Sequence, residues 1–100
     1  MSVIQALLTS YYLCDAAASH GALDTTAILH CIGVYQSVKA QFLTEEELAA
    51  LGADPLGFGG EQGQVAYRRF SAWETANPTI VARLRAEAEA RLRREEAAAF

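Results

Sequence analysis

The run VIQALLTSYYLCDAAASHGALDTTAILHCIGVYQSVKAQF, residues 3–42, holds two apolar stripes separated by a short break. In the first, Ile4, Leu7, Leu8, Tyr11 and Cys14 recur at three- and four-residue spacing, the mark of one buried helix face. Tyr12 and Leu13 widen that stripe, so this helix is expected to be covered on more than one side. Ser2 is a candidate N-cap. Ser19-His20-Gly21 is the expected stop, with Gly21 in the left-handed conformation that closes a helix and His20 near the negative end of its dipole. Asp24 or Thr25 then caps a second helix, whose stripe reads Ile28, Cys31, Ile32, Tyr35, Val38 and Phe42. Gly33 within it costs about 1 kcal/mol relative to Ala, a cost usually tolerated where another helix approaches closely.

A connection of four or five residues favours an antiparallel hairpin. A pivot near Ala22 places Cys14 and Cys31 at the same level. Both cysteines lie inside apolar helical patterns, and two are too few to staple a small secreted domain, so reduced, buried thiols are expected. The matched levels leave a Cys14–Cys31 bridge across the hairpin as the alternative, which requires Cα atoms within about 7 Å.

Beyond the hairpin, Thr44 with Glu47 three residues on reads as a capping box. It opens a short helix with Leu48 and Leu51 as its apolar face and Gly52 as its end. Residues 52–63 hold five of the seven glycines and one of the two prolines and read as a loop. Helix returns near Gln64, with Ala66, Phe70 and Trp73 on one face and Tyr67 beside them. Asn77-Pro78 reads as an N-cap followed by proline at the first helical position. The last helix, 78 to about 97, carries a thin stripe of Val81, Leu84, Ala88 and Leu92. Its Arg/Glu pairs at i, i+4, among them Arg83/Glu87 and Arg91/Glu95, support a helix with few core contacts.

Composition agrees with this pattern. Of 100 residues, 20 are alanine and nine are Gly or Pro, 52% are hydrophobic and 20% charged. The expected fold is an all-α bundle of four to five helices in one domain, 1–100: hairpin and short capped helix (2–51), glycine-rich loop (52–63), C-terminal helices (64–100). No apolar run approaches the ~20 residues that span a bilayer, and Ser2 follows Met1 where a secretory signal would carry a basic region, so a cytoplasmic protein without a membrane role is expected.

The net charge of −4 is uneven. Through Gly60 six acids face Lys39 alone, whereas from Glu61 onward seven arginines face six glutamates. That balance argues against a general nucleic-acid binder, which needs a basic face. Cys14, His20, His30 and Cys31 lack the paired spacing of a zinc site, since adjacent His30 and Cys31 point about 100° apart around a helix. No metal or other cofactor is expected. Cys14, His30 and Asp15 form a possible nucleophile set, but nothing supplies an oxyanion hole or a pocket, so no catalytic residue is assigned and no small-molecule substrate is evident. Gly57-Phe58-Gly59-Gly60-Glu61-Gln62-Gly63 fails as a phosphate loop, because no strand precedes it and Glu61 repels a phosphate.

What remains points to protein contact. Phe58 either tucks onto the core or, with Leu56, is presented by a mobile docking loop. In Tyr67-Arg68-Arg69-Phe70, Phe70 and Trp73 read as core, leaving Arg68 and Arg69 as flank or as partners for Glu45, Glu46 and Glu47. The expected function is a non-enzymatic interaction module: an adaptor, inhibitor or regulatory partner, of a size that suits phage or mobile-element inhibitors of host factors. Its partner-binding residues are expected to be Phe58, Arg68, Arg69, Trp73, Arg83 and Arg91, and its partner another protein or a second copy completing the thin last helix. The alternative is a nucleic-acid-binding accessory protein using the arginine-rich C-terminal helices.

Overall fold

The computed structural model describes residues 3–98, all helix, turn or short connection. The candidate cap Ser2 lies outside them. In order come α1 (Val3–Ser19), α2 (Thr25–Ala40), α3 (Glu45–Ala53), a 3-10 turn (Gly57–Gly59), α4 (Glu61–Ala76) and α5 (Pro78–Ala98). The expected all-α bundle is what forms.

The hairpin closes as its sequence dictates. Gly21 takes φ +67°, the left-handed value expected of it. The Ala22 and Gly21 amides donate to the Ala17 and Ala18 carbonyls (2.9 and 3.0 Å), satisfying groups the ending helix leaves free. Asp24 caps α2 by accepting from the Ala27 amide at 2.8 Å. α1 packs on both α2 and α5, so two of its flanks are covered.

The main core joins Leu8, Tyr12 and Ala16 of α1 to Val38, Phe70, Leu84, Ala88 and Leu92, with Phe42, Trp73 and Val81 packed around them. Tyr12 is almost fully buried, and its hydroxyl donates to Glu74 Oε2 at 2.7 Å. Burial first, and that carboxylate second, hold the phenol protonated well above its ordinary range. Arg85 reaches the same region, 3.1 Å from Asp15 and 3.5 Å from Glu74, with its guanidinium carbon 5.0 Å from the Tyr12 ring centre. At the far end of α1, His20 Nε2 lies 2.9 Å from Glu89. The last helix is thus tied to α1 by polar contacts as well as by its thin stripe.

A second cluster, Cys14, Cys31 and Val34, lies between α1 and α2. Here the expectation of reduced thiols is corrected: Cys14 and Cys31 form a disulfide, with Cα atoms 5.8 Å apart. The matched levels in the hairpin bring the two sulfurs together. The same contact corrects the α2 stripe. With Cys31 turned onto α1, the buried positions are Cys31, Val34 and Val38, while Ile28 and Ile32 face outward.

The stretch 52–63 is shorter as a loop than its composition suggests. α3 continues through Gly52 to Ala53, and α4 begins at Glu61 rather than near Gln64. Between them the Asp54 side chain accepts from the Leu56 amide at 2.8 Å, and the Gly57 amide donates to the Asp54 carbonyl at 3.0 Å. Gly57 adopts φ +52°, and Gly63 lies directly against the Phe58 backbone. The glycines here are used for tight turning and close approach, which lets a glycine-rich segment stay compact.

The capping box at Thr44 forms as expected, with the Glu47 amide donating to Thr44 Oγ1 at 3.2 Å and the Thr44 amide to Glu47 Oε1 at 2.8 Å. Glu47 also receives both terminal nitrogens of Arg69, at 2.6 and 2.9 Å. The Arg69 guanidinium and, next, the Thr44 backbone hold the Glu47 carboxyl down at about 2, against an ordinary value of 4.5. A carboxyl with a lowered folded-state pKa stabilises above its ordinary value and loses that contribution as pH falls toward the folded one. Wild type is therefore expected to lose more thermal stability than Glu47→Gln between pH 4.5 and 2. Equal losses in parallel melting curves would exclude this coupling.

Candidate functional site

The partner-binding residues expected from sequence do not form one surface. Trp73 is half-buried, stacked on Phe70 with ring centres 6.3 Å apart, and its carbonyl accepts from Asn77 Nδ2 at 2.8 Å. Arg69 is committed to Glu47 and to the Phe42 carbonyl (2.9 Å), fastening α3 to α4. On α5, Arg83 lies 3.9 Å from Glu87 and Arg91 3.2 Å from Glu95, along the helix's own surface. Such exposed pairs contribute little each, and these two serve the helix.

Phe58 and Arg68, by contrast, come together. With Lys39, Gly63, Gln64 and Tyr67 they line an open groove of about 340 Å³ between the end of α2 and the start of α4. A second pocket, lined by Tyr11, Tyr35, Val38 and Phe70, shares Lys39 and Tyr67 with this groove. Position follows from helix periodicity. Gly63, Ala66 and Phe70 face inward on α4, which leaves Gln64, Tyr67 and Arg68 on the groove side. The close approach of Gly63 to the Phe58 backbone seats the 3-10 turn beside them, with Phe58 half-buried.

The chemistry of this groove is cationic and aromatic. Lys39 and Arg68 take part in no ion pair with a described residue, as is also true of Arg93 and Arg94 on α5, whereas Arg69, Arg83, Arg85 and Arg91 each have a carboxylate. Tyr67, which lines the same groove, leaves 59% of its surface open. In the second pocket, burial and the nearby Asp15 carboxylate push the Tyr11 hydroxyl up to about 12, and burial raises Tyr35 as well, so both stay protonated and neutral. Tyr11 packs against both Tyr35 and Phe70 with ring centres 5.0 Å apart. The arrangement offers two cations, an exposed aromatic ring and neutral phenols, a set suited to carboxylates flanked by apolar groups.

Sequence reasoning placed Tyr67 beside the core and left Lys39 as the one base of an acidic half. The signal that could have found them is spacing: Lys39 sits one residue past the buried Val38, and Tyr67 one past the buried Ala66, each on the edge of a buried stripe.

The bridge changes the expected state of the cysteines from buried thiols to a disulfide. With the two sulfurs joined, neither is available as a nucleophile or as a thiolate ligand, and His30 is exposed. Among the described residues no three His, Cys, Asp or Glu side chains converge on one point. None of the helices described is long and apolar enough to cross a membrane. No family model matches this chain, and neither a curated protein nor a solved structure matches it.

Proposed function

We propose that this chain is a non-enzymatic protein-binding module, an adaptor, inhibitor or regulatory partner, whose groove between α2 and α4 takes an acidic segment of another protein. One observation carries the reading: Lys39 and Arg68, neither in an ion pair with a described residue, line one groove together with the exposed Tyr67, in a chain whose net charge is −4. Cations left unpaired beside an aromatic face favour an incoming carboxylate, and Arg and Tyr are frequent hot-spot residues. Phe58 provides the apolar wall, and Gln64 offers an amide to a peptide backbone.

The Cys14–Cys31 bridge bears on where this happens. Disulfides persist in oxidising compartments, so it supports a setting outside the reducing cytoplasm, against the cytoplasmic expectation drawn from the apolar runs and the residues after Met1.

Selection from a random displayed-peptide library tests the function. The expected winners carry Asp or Glu next to an aromatic or large aliphatic residue, and Lys39→Glu/Arg68→Glu weakens their binding at least about tenfold, a loss of about 1.4 kcal/mol. No enrichment, or winners bound equally by the double variant, would sink the reading. Binding to DNA or RNA that falls steeply with salt and is lost in the same variant would give the groove to nucleic acid instead.

A further inference from the structure

The exposed side of α2 carries a stripe that neither the core nor the groove uses. Ile28, Leu29 and Ile32 expose 45%, 65% and 45% of their surface, three large apolar side chains within five residues. Thr25, Gly33 and Gln36 are exposed around them. Thr25, Leu29, Ile32 and Gln36 follow a four-three-four spacing, which keeps them in one line along a helix as the seam of a two-helix contact requires. From Thr25 to Val38 the helix has no Asp, Glu, Lys or Arg. An added Cβ at Gly33 would meet nothing within 4 Å, so this side is open to the close approach of another backbone.

We infer that this face pairs with α2 of a second copy, antiparallel, about a two-fold axis between His30 and Cys31. The symmetric spacing of the stripe selects the occupant, and charge the direction. The net charge of −4 opposes pairing of two copies, and a stripe free of Asp, Glu, Lys and Arg adds no like-charge contact to that cost. Antiparallel pairing brings Asp24, at the start of one helix, toward Lys39 near the end of the other, whereas parallel pairing sets like beside like. The stripe is also self-complementary in this register. Leu29 meets Ile32 of the second copy in two central layers, and Thr25 meets Gln36 in two outer ones, where hydroxyl and amide can bond. A contact of one helix face lies below the ~800 Å² per partner of a standard interface, so dissociation constants on the order of 10–100 µM are expected.

Sedimentation velocity from about 1 µM to 1 mM tests the pairing. The weight-average mass is expected to rise toward the dimer, and Ile32→Glu to hold the chain monomeric with an unchanged helical spectrum, since its side chain is already half exposed. Gln36→Glu alone is expected to weaken association severalfold, and added Thr25→Lys to restore it, because only the antiparallel register places those positions opposite each other. A constant monomer mass at 1 mM, or a dimer insensitive to Ile32→Glu, overturns the inference. Failure of rescue by Thr25→Lys overturns the register. The readout is mass rather than peptide binding, so it stands apart from the fate of the groove.

Discussion

Reducing the Cys14–Cys31 bridge, or replacing both residues by alanine, is expected to remove about 3 kcal/mol of stability, the loop-closure value for a crosslink of this span. The two sites are 17 residues apart and enclose the hairpin turn. Breaking the bond releases a loop in the unfolded chain that the bond otherwise holds closed. For a chain of this size that corresponds to a fall in melting temperature of roughly 10–25 °C. The loss should be concentrated in the first half of α2. There the apolar cluster holding the helix to α1 is Cys14, Cys31 and Val34 with Tyr11, Leu23 and Tyr35, whereas Val38 and Phe42 join the main core. Amide exchange should therefore accelerate most over Thr25–Val34 on reduction. Melting curves with and without reductant, with thiol titration to confirm the redox state, check this. An unchanged melting temperature in protein with two titratable thiols would rule it out.

Gly63→Ala is expected to destabilise by about 2–3 kcal/mol, although the same change in an ordinary helical position stabilises by up to about 1 kcal/mol. The reversal comes from contact. A Cβ at Gly63 would overlap the Phe58 carbonyl, a backbone group of the 3-10 turn that no rotamer change can move aside. Relief requires lifting that turn off α4, which also removes Phe58 and Gly63 from the groove wall. Gly52→Ala in α3 is the matched control, because a Cβ there meets nothing within 4 Å. Denaturant titration should move the two variants' midpoints in opposite directions. A stabilised Gly63→Ala would show that the turn does not rest on α4, and peptide binding to this groove would then lose its structural basis.

These two sites also mark where the sequence was legible. Hydrophobic spacing found the hairpin, the inner face of α4 and the thin stripe of α5, because burial repeats with the helix period. Short polar signals found the Gly21 stop, the Asp24 cap, the Thr44–Glu47 box and the Pro78 start, because each is satisfied within a few residues of itself. Glycine composition misjudged 52–63, since Gly60 and Gly63 are there for close approach to Asp54 and Phe58, a matter of what lies across from them. Of the expected contact residues, Phe58 and Arg68 reach the groove. Arg69 and Trp73 are taken by Glu47 and Phe70, neighbours that only packing assigns.

The sequence by itself determined an all-α chain, the stop at Gly21, the helix starts after Asp24 and Thr44 and at Pro78, and that Cys14 and Cys31 lie level across a hairpin. Those properties depend on periods and on bonds made within one or two turns. The tertiary structure decided the rotation of α2 about its own axis. Joining Cys31 to Cys14 fixes that rotation and sends Val34 inward and Ile28 and Ile32 outward. A broad apolar stripe is compatible with several such rotations, and a contact 17 residues away chooses among them. The groove beside Lys39 and the uncharged face along Leu29 both follow from that choice.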